Sequence, residues 1–173
     1  MMKMISFIIG LLLVGFSAFS QKNAVFRSCN YAGIVAGESS PAFEFHTVNG
    51  IAFKQWTAGV GLGWDRYRIE SFPLYLSLKR EWGGRRHAFM AGIDGGGNFS
   101  AFRPGVYGRT GIGWKVKLQK LRSAFLMDVG YSYKQLIEKR WVTMPCLVPP
   151  CMEAGERYNY QFTSLSFRMG WMF

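Results

Sequence analysis

Long hydrophobic runs are nearly missing from this chain, and the one from Ile5 to Phe16 stands alone. A membrane-spanning helix needs roughly 20 apolar residues, so this run is too short for an anchor. Lys3 precedes it and Ala18-Phe19-Ser20 follows, with small residues at the two positions a signal peptidase inspects. Residues 1–20 are therefore expected to be a cleaved signal peptide. Residues 21–173 are expected to form one domain, because no Pro-, Ser- or charge-rich linker divides them.

Histidine is scarce as well. His46 and His87 are the only two, and neither sits in a cluster of Cys or carboxylates, so no metal signature is present and no cofactor is expected. Catalysis would need a nucleophile and a base together on an accessible rim. His87 falls at a turn. His46 lies beside Glu44, a possible orienting group, but has no Ser two positions away on its own face, so no enzyme is expected. Acids number 10 against 21 Lys and Arg, and with Lys3 in the signal the remaining chain carries 20 − 10 = +10. An exported basic chain meets lipid phosphates rather than nucleic acid. Of three cysteines, Cys146 and Cys151 bracket Leu-Val-Pro-Pro and are expected to close as a disulfide in an oxidising compartment. Cys29 has no obvious mate and is expected to be a buried or lipid-facing thiol.

What the chain does have is alternation. Leu165, Phe167, Met169, Trp171 and Phe173 share one face of a strand, with Ser166, Arg168, Gly170 and Met172 on the other. The same period of two places Phe43, Phe45, Thr47 and Ile51 opposite Glu44, His46, Val48 and Gly50. It is sharpest from Thr57 to Tyr67, where Ala58, Val60, Leu62 and Trp64 oppose Gly59, Gly61, Gly63 and Asp65. These glycines lack the helix pattern of a dinucleotide site, and they are read as making room inside for large side chains opposite. Further strands are expected at 72–81, 87–96, 106–115 and 123–133, with a first strand inside 25–37 whose faces stay open. Gln135 to Arg157 reads as one long loop, and the last strand enters near Tyr158.

Apolar-out, small-or-polar-in strands separated by turns are the pattern of a membrane barrel. The fold class expected is all-β: an eight-stranded antiparallel up-and-down transmembrane β-barrel, monomeric, in a bacterial outer membrane with both termini periplasmic. Short connections carrying Lys54, Arg85, Arg86, Lys117 and Lys120 then lie at one end, and the long one at the other. Trp56, Trp82, Trp114 and Trp171 fall at the periplasmic end, and Trp64, Tyr67, Phe72, Tyr131, Tyr133 and Tyr160 at the outer end, as two aromatic girdles. Trp171 and Phe173 are expected to form the C-terminal signal read by the barrel-assembly machinery.

The stretch Phe43 to Trp56, F-E-F-H-T-V-N-G-I-A-F-K-Q-W, followed by A-G-V-G-L-G-W-D-R-Y and P-L-Y-L, resembles the small outer-membrane β-barrel proteins of Bacteroidetes-type bacteria. The resemblance covers strands two to four, and the rest follows by pattern. It implies the barrel and its location, and no shared catalytic residues.

Inward faces collect Glu44, Asp65, Glu81, Asp94 and Asp128 against Lys79, Arg109, Lys115 and Arg168, with His46 nearby. An eight-stranded barrel is just wide enough for its side chains to fill, and a near-balanced set predicts a plugged interior over a pore. Arg168 is expected to pair with Asp128 on the neighbouring strand. Arg66 and Arg68, on the lipid side of strand three, are expected to meet lipopolysaccharide phosphates together with Lys139 and Arg140; Arg103, Lys134 and Arg157 share that end. The expected role is structural or surface-interacting, with a polysaccharide or protein ligand on residues 135–157. A narrow channel for small solutes is the alternative, followed by a lipid-modifying enzyme.

Overall fold

A computed structural model describes residues 24–38, 40–84, 86–100, 104–118, 123–143 and 153–173, with the side chains of 138–143 and 153–157 outside the description. Eight strands run in order: β1 (Ala24–Gly37), β2 (Ala42–Phe53), β3 (Trp56–Asp65), β4 (Ser71–Gly83), β5 (His87–Ser100), β6 (Gly105–Leu118), β7 (Ser123–Thr143) and β8 (Glu153–Met172). Each pairs antiparallel with the next, and β1 pairs with β8 to close the barrel. Closure removes the free edges that an open sheet would expose. The first described residue, Ala24, and the last, Phe173, lie at one end, here called the terminal end; the opposite one is the loop end. The signal peptide expected at residues 1–20 lies outside the described residues.

Alternation decides which side chains go where. Phe43, Val60, Leu76, Phe89, Ile112 and Leu165 all stand outward and more than half exposed. A continuous apolar wall of this kind is what a bilayer covers and what water penalises. β1, open in the sequence, turns Cys29, Tyr31 and Val35 inward and Ile34 outward. Cys29 is thus a buried thiol.

The interior is filled by a size rule. Tyr31 is in register with Gly170, His46 with Gly63, Tyr75 with Gly61 and Gly96, Lys79 with Gly92, and Arg168 with Gly33. Each large inward side chain lies across a neighbouring strand that contributes none. A Cβ on Gly170 would meet the Tyr31 ring at 2.6 Å, and one on Gly33 would meet Arg168 Cγ at 2.9 Å. The glycines of β3 therefore serve the packing role expected of them.

Two expectations change. The long loop is largely strand: β7 residues 135–143 pair with β8 residues 161–153 in nine successive pairs, from Gln135↔Gln161 to Thr143↔Glu153. These residues were read as loop because, standing clear of the apolar wall, they have no lipid to face and carry no apolar period of two. β3 ends at Asp65, Tyr67 turns into the barrel at 2% exposure and Tyr160 packs against the same inner cluster, leaving the girdle to Trp64, Phe72, Tyr131 and Tyr133.

Candidate functional site

The lumen is layered. Nearest the loop end, Val35, Tyr67, Leu136 and Phe162 form an apolar cap. Arg68, at φ 60°, folds over the Phe162 ring at 5.1 Å and reaches Glu38 at 3.7 Å. It therefore lies across the barrel mouth and does not share a lipid-facing side of β3 with Arg66. Arg66 remains exposed. Lys139 and Arg140 sit on β7 in register with Arg157 and Glu156, and their side chains lie outside the described residues.

Below the cap, Lys134 is buried, where the sequence placed it on the outer rim. Its ammonium pairs with Asp65 and donates to Ser71 Oγ at 3.0 Å and the Tyr67 carbonyl at 3.2 Å. Ser71 Oγ and the Tyr67 amide donate in turn to Asp65, both at 3.1 Å. The inward parity of β7, which also turns Asp128 and Ser132 into the lumen, was the signal that located Lys134; its nearness to the expected loop concealed it.

Mid-barrel, Arg168 donates to Glu44 from Nε at 2.8 Å and Nη2 at 2.9 Å, a bidentate fork. Nη2 also donates to the Tyr107 hydroxyl at 3.1 Å. This corrects the expected Arg168–Asp128 pair. Asp128 is the backbone neighbour of Arg168, but Gly33 of β1 stands between Arg168 and Glu44 without a side chain, so the long guanidinium stem crosses it. Asp128 pairs with Arg109 instead, which also donates to Ser166 Oγ at 2.9 Å and lies 3.8 Å from Asp94.

His46 completes this layer, with Nε2 3.1 Å from Glu44 and Nδ1 3.1 Å from the Tyr75 hydroxyl. Nε2 also lies 3.0 Å from Arg168 Nη2, so this nitrogen sits between a carboxylate that accepts and a guanidinium that donates. The row Glu44–His46–Tyr75 has the order of an orienting acid, a base and a hydroxyl. His46 is 4% exposed and Tyr75 2%, so the row is buried inside the barrel.

Toward the terminal end, Lys79 donates to the Tyr31 hydroxyl at 2.8 Å and stands 4.4 Å from the centre of that ring. Glu81 then holds both Arg27 and Lys115. Arg27 was missed because the faces of β1 could not be assigned. All ten expected lumen residues are inward, in four groups rather than one network: Asp65 with Lys134; Glu44, His46, Asp94, Arg109, Asp128 and Arg168; Lys79 on Tyr31; and Glu81 with Lys115 and Arg27. Among the described residues no group of His, Cys, Asp and Glu is arranged to hold a metal ion. Cys146 and Cys151, with their expected disulfide, fall outside the described residues. On the outer wall at the terminal end, Arg80 stacks between Trp56 and Trp82 at 5.2 and 5.1 Å from their ring centres. Trp171 is half-buried, and Phe173 exchanges backbone hydrogen bonds with Ser28.

No family model matches the sequence, and no curated protein matches it. Among solved structures the barrel is similar to Neisserial surface protein A, NspA, with a TM-score of 0.55 at 9% sequence identity, over 87% of this chain and 98% of that one. At that identity the likeness is one of fold.

Proposed function

We propose that the protein is an integral outer-membrane barrel, termini in the periplasm, whose body is a closed scaffold and whose β7–β8 hairpin is its working part. The hairpin is the observation that carries the reading. Nine residue pairs lie beyond the last backbone partners of β6 and β1; the first two flank the cap through Leu136 and Tyr160, and the seven from Ile137↔Asn159 to Thr143↔Glu153 reach about 23 Å at the usual rise per residue. A barrel that needed only to close would end these strands where their neighbours end. Elements held clear of a rigid scaffold are where recognition concentrates.

The lumen supports the same reading. A channel needs a continuous wet path, and here Tyr67, Phe162 and Leu136 cover one end of a row of ion pairs. The exposed apolar wall, the Trp56–Arg80–Trp82 stack at one height and the Phe45–Trp64 pair, 5.6 Å between rings, near the other supply the embedding. The residues of β2 to β4 support the Bacteroidetes-type assignment. The tip carries Lys139, Arg140 and Trp141 on one strand and Glu153, Glu156 and Arg157 on the other. Its chemistry suits a surface polysaccharide, lipopolysaccharide or another cell-surface protein.

Cells displaying the full chain and cells displaying a deletion of 142–155 would be compared for binding to lipopolysaccharide and to purified surface glycans. Loss of binding in a variant whose barrel still resists unfolding in unheated gel samples is the expected result. Equal binding by both would end the hairpin reading.

A further inference from the structure

Charge is unevenly spread along the lumen. In the half toward the loops, Glu44, Asp65, Asp94 and Asp128 face Lys134, Arg109 and Arg168, four carboxylates to three cations. In the half toward the termini the balance reverses. Arg27 and Lys115 share Glu81, and Lys117 makes no ion pair among the described residues, while Lys79, between the two halves, holds the Tyr31 hydroxyl and lines one space with Asp94 and Asp128. At the terminal mouth this makes three cations, Arg27, Lys115 and Lys117, to one carboxylate, Glu81.

The excess opens onto a cavity. About 340 Å³ lies at the terminal mouth, walled by Arg27, Lys115 and Lys117 on its basic side and by Val25, Phe26 and Phe173 at its rim. That volume falls in the range of small-molecule sites. Beyond the Cys29↔Met172 pair Phe173 exchanges backbone hydrogen bonds with Ser28, and Ala24 to Arg27 are paired with β2 along the cavity. The three apolar rim residues are each more than half exposed. Cations left over beside low-dielectric walls are costly without a counter-charge, and Arg and Lys donors grip phosphate oxygens with charge-assisted bonds.

We propose that the terminal mouth is a phosphate-binding site, with Lys117 and Arg27 as its donors and Lys115, buried on Glu81, adding positive charge behind them. The phosphate belongs either to a lipid headgroup, whose chains would lie along Phe26 and Phe173, or to a soluble phosphate ester entering the mouth. The site is independent of the hairpin and of any ligand the hairpin takes.

The full barrel, folded in zwitterionic micelles, would be titrated with inorganic phosphate and separately with a short-chain phosphatidylglycerol, following backbone amides by NMR. Saturable shifts at Lys117, Ala124 and Met172, with Tyr131 unmoved, are the expected result. Lys117→Gln should weaken affinity about tenfold, the usual worth of one charge-assisted hydrogen bond, and Lys117→Arg should keep it. Saturation by the lipid alone assigns the site to headgroups, and equal saturation by both probes assigns it to soluble esters. Failure of both probes to move those amides would overturn the proposal, and so would an unchanged affinity in Lys117→Gln.

Discussion

At the scale of the residue, what stands out is a glycine letting two charges meet. Arg168 and Glu44 lie on strands that are not neighbours, and their contact passes over Gly33. Sequence reasoning put both residues inside but paired Arg168 with the nearest backbone partner. Pairing of buried charges is set by stem length and by which positions are empty, and neither shows in an alternation pattern. Breaking one side of a buried pair leaves the other charge uncompensated, at about 3 to 5 kcal/mol. Arg168→Met should therefore lower the denaturant midpoint sharply, and adding Glu44→Gln to it should recover much of the loss. A single variant that unfolds like the parent would refute the plugged core. Gly33→Val should be damaging as well, because a side chain there meets the Phe167 carbonyl and the Arg168 stem. Overpacking of this sort costs typically 1 to 3 kcal/mol, and equilibrium unfolding of that variant measures it.

At the scale of the element, β2, β3 and β4 were legible because lipid imposes a strict period of two wherever a strand crosses it. β1 was harder: Tyr31 is large yet inward, tolerated only because Gly170 lies opposite, so size and polarity alone misassign it. β7 and β8 were legible up to Tyr133 and from Tyr158. Beyond those points the backbone stays paired while the side chains answer to no membrane. The extension predicts its own stability behaviour. Its residues pair only with each other, and a lone two-stranded ribbon is marginal in water. Hydrogen exchange should therefore show amides of 135–143 opening far more often than those of 124–133, which have partners on both sides. Equal protection along the whole of β7 would mean that something else braces the hairpin. The C-terminal end of β8 makes a different prediction. Its aromatic residues Trp171 and Phe173 form the expected assembly signal, so their removal should reduce insertion into outer membranes well before it affects the purified fold.

At the scale of the whole molecule, the question is whether a closed tube of charges conducts. The case for conduction is that buried Arg109, Arg168, Asp94 and Asp128 stack along an axis open to solvent at the terminal mouth. Against it, each of these guanidinium groups already holds carboxylates, and releasing one to hydrate a passing ion forfeits most of what offsets its own desolvation. The tyrosines Tyr31, Tyr75 and Tyr107, with Leu126 and Met90, fill the section between the mid-barrel and the mouth. The cap of Tyr67, Phe162 and Leu136, with Arg68 over it, closes the far end. The expected outcome in a planar bilayer is thus no steady single-channel current from the parent protein, with or without residues 142–155. Opening should require removing filler rather than charge, so Tyr75→Ala combined with Tyr107→Ala is expected to leak where Asp128→Asn is not. Steady conductance in the parent, altered by Asp128→Asn, would replace the scaffold reading with a channel whose selectivity is set by the charges described here.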